Sequence, residues 1–77
     1  MTPLFLAIDQ KPFRPFAISL TSGERFEIPH PENIFVLPSR QTVHHIMVYK
    51  TDSSEFAIIY PEVLAAVHFN GERMGLA

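Results

Sequence analysis

The chain has no cysteine. That excludes a disulfide staple, a thiolate metal ligand and a cysteine nucleophile. Its three glycines are not spaced as a phosphate-cradling loop requires, so no P-loop or dinucleotide fingerprint is present. Basic residues are few and scattered. Lys11, Arg14, Arg25, Arg40, Lys50 and Arg73 stand against eight acidic residues, for a formal net charge of −2. Nucleic-acid binders ordinarily carry a basic stripe or a high pI, so nucleic acid is not an expected partner. No apolar run approaches the roughly 20 residues of a bilayer span. The run Leu4-Phe5-Leu6-Ala7-Ile8 is short, with no basic residue before it and no cleavage site. No membrane partner is expected, and the cytoplasm is the expected location.

What is present is apolar surface. Hydrophobic residues make up 47% of the chain, with seven Phe and two Tyr, too apolar for a disordered segment. Seventy-seven residues make a single small domain, 1–77. A chain of this length buries only about 60% of its unfolded surface and is marginally stable. Packed aromatics and oligomerisation are the usual remedies.

Periodicity identifies the elements. Thr2 is placed to cap a helix and Pro3 to begin one; Leu4, Phe5 and Ile8 share a face, which predicts a short amphipathic helix over 3–10. Lys11-Pro12 ends it. The stretch KPFRPF, residues 11–16, reads as a stiff connector that docks Phe13 on the core. Phe16 to Ile28, FAISLTSGERFEI, alternates apolar and polar residues on both sides of Ser22-Gly23. That predicts a hairpin over 16–28 with a two-residue turn and Gly23 at positive φ. Phe16, Ile18, Leu20, Phe26 and Ile28 face the core; Arg25 and Glu27 face solvent. Pro29-His30-Pro31-Glu32 is a corner. Strands follow over 33–37, 43–50 and 56–60, with a turn at Asp52-Ser53-Ser54. Residues 61–69 read either as a turn with a last strand, the favoured form, or as a helix that begins at Pro61. Residues 71–77 read as a flexible tail.

The segment PFRPFAISLTSGERFEIPHPE, Pro12 to Glu32, resembles a pattern of short uncharacterised bacterial proteins, roughly PFxPFxIxLTDGxxxxIxHPE. Ser22 stands where Asp is commoner. The resemblance covers about a quarter of the chain and implies a bacterial, self-contained domain without an assigned function. At the level of architecture, the order of elements is similar to SH3-like and Sm-like small barrels, though no Sm motif is present.

Chemistry-bearing residues are dispersed. His30, His44, His45 and His68 are the one plausible metal or acid–base set. The adjacent pair His44-His45 points to opposite faces of a strand and needs a bulge to reach one ion. No HxH or HExxH spacing occurs, and Glu24, Glu27, Asp52 and Glu55 are not brought together by sequence. No catalytic, cofactor or metal residue is assigned, and no enzyme activity or cofactor is expected.

The fourth and fifth strands are apolar on both faces. Val43, Met47 and Tyr49 oppose Ile46 and Val48; Phe56, Ile58 and Tyr60 oppose Ala57 and Ile59. A half-solvated strand alternates, so something must cover the second face: the N-terminal helix, a barrel bend or another protomer. The expected fold is mainly β, a five-stranded bent antiparallel sheet or an SH3-like/Sm-like barrel with a short N-terminal helix. The expected function is a non-catalytic interaction or self-assembly module, a homo-oligomer that also has the means to bind another protein. The alternatives are a nucleic-acid-binding Sm-like barrel and an activity built around the histidines.

Overall fold

The computed structural model describes residues 1–50 and 54–69, and the backbone of 72–76. A helix, α1 (Thr2–Ile8), precedes seven strands: β1 (Phe16–Leu20), β2 (Arg25–Ile28), β3 (Ile34–Pro38), β4 (Val43–Lys50), β5 (Glu55–Ile59), β6 (Leu64–Phe69) and β7 (Glu72–Leu76). They form two antiparallel sheets. One has the order β2-β1-β6, continued by β7; the other is β3-β4-β5. The mainly β class stands. The expected five-stranded sheet or closed barrel does not form.

Proline corners separate the two sheets. After β2, Pro29 offers no N–H to a ladder, and Pro31–Asn33 makes one 3-10 turn. After β5, Pro61–Val63 makes another. The second leads directly into β6, so residues 61–69 take the turn-plus-strand form. Each corner moves the chain from one sheet to the other. Leu4, Phe16, Ile18, Phe26, Ile28 and Val67 then meet Ile34, Ile46, Val48 and Ile59 in a single core. Within it, Leu4, Ile18, Ile28, Ile46 and Val67 are fully buried.

The hairpin faces as its alternation requires: Phe26 and Ile28 are buried, Arg25 and Glu27 exposed. Its turn is longer than two residues. Leu20 N–H donates to the Glu24 carbonyl at 2.8 Å, and Gly23 N–H donates to the Leu20 carbonyl at 2.9 Å. Thr21-Ser22-Gly23 is therefore a three-residue loop whose last residue, Gly23, sits at φ 96°.

The helix differs from expectation at both ends. Met1, not Thr2, is the N-cap, and it makes no side-chain capping bond. At the other end Gln10 Nε2 donates to the Ala7 carbonyl at 2.8 Å and the Arg14 carbonyl at 2.9 Å. One side chain thus satisfies a helix end and ties it to the connector. Leu4 and Ala7 enter the core. The β7 backbone registers against β6 through Ala66↔Leu76 and Phe69↔Glu72, where the sequence suggested a tail over 71–77. Of the expected turn at Asp52-Ser53-Ser54, the first two residues lie outside the described residues; Ser54 has φ 59°.

The facing assignments set different costs. Ile46→Ala removes a fully buried side chain and should lower stability by about 2–5 kcal/mol, whereas exposed His44→Ala should change it by less than about 0.5 kcal/mol. Gly23→Ala meets no atom within 4 Å, so its cost is conformational alone, about 1–2 kcal/mol. Urea melts that give Ile46→Ala and His44→Ala the same midpoint contradict the facing of β4.

Candidate functional site

The inner face of β3-β4-β5 is fixed by the core. Ile34, Ile46, Val48 and Ile59 point into it, with Ala57 packed beside them. Strand alternation then sends every second side chain outward. Those outward positions are apolar as well. Phe35 pairs with Met47 and Met47 with Ile58, forming one row across three strands. Leu37 pairs with His45, whose ring lies 5.5 Å from that of Tyr60, forming a second. Tyr49 pairs with Phe56, edge to face at 5.0 Å, forming a third. Phe35, Leu37, Phe56, Ile58 and Tyr60 are 40–64% exposed. None of the eight positions holds Asp, Glu, Lys or Arg.

The two-faced pattern of β4 and β5 is thus resolved. The face with Ile46, Val48, Ala57 and Ile59 belongs to the core. The face with Met47, Tyr49, Phe56, Ile58 and Tyr60 is left outside. The helix expected to cover part of it goes instead into the core by Leu4 and Ala7. Val43 leaves the outer set. Leu37 pairs with His45 and Pro38 with Val43, which makes His44 an extra residue on β4. Beyond this bulge Val43 packs against the core.

The same bulge is the irregularity that His44 and His45 would need to reach one ion. Both are exposed, and among the described residues no three His, Asp or Glu side chains lie together as a metal group. His30 is exposed; its backbone carbonyl, not its ring, is bonded, accepting from Asn33 N–H at 3.1 Å. Buried Asn33 donates through Nδ2 to the Tyr49 carbonyl at 3.4 Å and joins the start of β3 to β4; among the described residues its amide oxygen has no hydrogen-bond partner.

His68 alone reaches another reactive group. Its Nε2 lies 3.0 Å from Ser19 Oγ across the β1–β6 ladder. Beside it is an open groove of about 360 Å³ over Ala17, walled by Arg25, Glu27, Pro29 and His68. Sequence reasoning missed this contact, because 49 residues separate the partners and neither lies in a motif. A serine beside a histidine is the start of a nucleophile–base pair. Among the described residues no carboxylate hydrogen-bonds the imidazole to orient it, so the pair stops short of a triad.

Most of the described cations are engaged. Arg40 forks onto Asp9, with Nη1 to Oδ2 at 2.6 Å and Nη2 to Oδ1 at 2.7 Å, and its guanidinium lies 5.0 Å from the Phe5 ring. Arg14 sits over Phe69 and Lys50 over Phe26, each at 5.2 Å. Arg25 approaches Glu27 at 3.8 Å. No helix among the described residues is long and apolar enough to cross a membrane. No family model, characterised protein or solved structure matches the chain.

The Arg40 hydrogen bonds hold the Asp9 carboxyl below its usual value, against an opposing desolvation. A carboxyl depressed in the folded state stabilises above its unfolded pKa, near 3.9, and that contribution is lost as pH falls through the folded value. The stability gap between the parent and Asp9→Asn should therefore stay level from about pH 7 to pH 5 and close below about pH 4. Because the pair is exposed, added salt should narrow the gap. A gap unchanged from pH 7 to pH 2 contradicts the clasp.

Proposed function

We propose that this chain is a non-catalytic assembly module and that a second copy covers the outer face of β3-β4-β5. One observation carries the reading: eight adjacent outward positions, seven on the three strands and Tyr60 just past β5, hold no Asp, Glu, Lys or Arg, and the opposite face is already committed to the core. At roughly 200 Å² for a fully exposed large side chain, the five most exposed residues alone present on the order of 500 Å². That is at the upper end of the patches a typical monomer shows. Adding His45, Met47 and Tyr49 brings the face toward the roughly 800 Å² each partner contributes to an ordinary stable interface. The rings of Phe35, Tyr49, Phe56 and Tyr60 supply the rigid aromatic anchors that dominate such interfaces.

The lack of charge favours a like partner. A two-fold axis through the face sets each apolar row against an apolar row, with no charge buried. Sheet-borne aromatics are also a platform for single-stranded nucleic acid, but such platforms work with a basic groove, and most of the described cations are engaged elsewhere.

Gel filtration with light scattering should give more than one chain per particle at micromolar concentration. Ile58→Glu and Met47→Glu should each break this contact and lower the particle mass while the fold persists. Val48→Glu places a charge in the core and should unfold the chain instead. A parent that is strictly monomeric overturns the proposal. Submicromolar, salt-sensitive binding of a random oligonucleotide, lost in Tyr60→Ala, replaces it with the nucleic-acid reading.

A further inference from the structure

A second self-complementary surface lies on the other sheet. Among the described residues β2 is an edge strand, hydrogen-bonded to β1 alone. Leu20 N–H donates to the Glu24 carbonyl, so Leu20 and Glu24 are a hydrogen-bonded pair of the ladder. Alternation makes Phe26 and Ile28 the next such residues on β2. The N–H and C=O groups of Arg25 and Glu27 therefore point to the open edge.

The side chains of these two residues are 47% and 72% exposed, and their contact within the strand is long, at 3.8 Å. Three antiparallel registers let an outward-pointing residue of β2 pair with one on a second copy. Arg25 opposite Arg25 sets like charges together, as does Glu27 opposite Glu27. Arg25 opposite Glu27 forms two cross-strand ion pairs and up to four backbone hydrogen bonds, and it places Phe26 opposite Phe26 on the two-fold axis. A cleft of about 410 Å³ lined by Phe26, Val48 and Lys50 opens beside that ring. The other edges of β3-β4-β5 offer no such code, since β3 is uncharged and β5 carries Glu55 alone.

We propose that β2 is a self-pairing edge: two chains join antiparallel, Arg25 to Glu27 and Glu27 to Arg25, into one continuous sheet. This surface is separate from the outer face of β3-β4-β5 and does not depend on it. Where both operate, each chain has two isologous contacts and assembly continues beyond a dimer.

Sedimentation equilibrium of the full chain carrying Ile58→Glu isolates the edge. This background should show a reversible monomer–dimer equilibrium. Adding Glu27→Arg sets like charges opposite each other and should weaken the dimer about tenfold. Adding Arg25→Glu as well restores opposite signs and should return the constant to within about threefold of the background. A background monomeric at every concentration, or a double variant as weak as the single, overturns the proposal. A second test leaves Ile58 intact. Chains with Arg25→Cys and chains with Glu27→Cys carry the only cysteine each has, and a directly opposed pair has the Cα spacing a disulfide needs. Mixed and oxidised, they should cross-link faster together than either does alone. Equal rates contradict the register.

Discussion

The packing of Ile46, Val48 and Ile59 against Ile18, Ile28 and Val67 is the contact on which the rest of the molecule depends. A domain this small has one core, and β4 and β5 have two apolar faces. Once one face of each strand is committed inward, alternation leaves Met47, Tyr49, Phe56 and Ile58 no choice of side. The helix cannot take up the remainder, because Leu4 and Ala7 are already inside. The exposed face is thus a consequence of a single core and strand composition together, and association is the means by which small domains commonly hide such surface.

Prolines and charges channel that outcome. The corners at Pro29-His30-Pro31 and Pro61 break the ladder, and the chain changes sheet at each of them. The two sheets so formed present different exteriors. The outside of β2-β1-β6 carries Ser19, Arg25, Glu27 and His68, a polar surface; the outside of β3-β4-β5 is apolar. Arg40, Arg14 and Lys50 sit on Asp9 or on phenylalanine rings. Cations held this way tie α1, the connector and β4 to their neighbours and contribute little free field to attract a polyanion.

The parts legible in sequence were those with local periodicity. Alternation around Gly23 gave the hairpin and the facing of Phe26 and Ile28, and the doubly apolar pattern marked β4 and β5 as strands with a surplus face. Which face would be spare was not legible, since Met47 and Val48 are equally apolar and only the packing against β1 and β6 separates them. The loop length escaped because Thr21 fits a strand end as well as a turn. The bulge at His44 has no glycine or proline to announce it, so alternation alone groups Val43 with Met47. The proline corners were visible, but whether a corner bends one sheet or ends it depends on what the next strand pairs with. Contacts between distant residues, Ser19 with His68 and Arg40 with Asp9, leave no trace in spacing.

The central claim is that the outer face of β3-β4-β5 lies against another copy of the same face. Isotope-filtered NMR on a mixture of labelled and unlabelled chains reads this directly. The account predicts intermolecular Overhauser contacts from the Ile58, Met47 and Leu37 methyl groups to the rings of Phe35, Phe56 or Tyr60, and none from Ile46 or Val48. Methyl groups of Ile58 and Met47 that show contacts only within their own chain, at concentrations where the particle holds more than one chain, would contradict it.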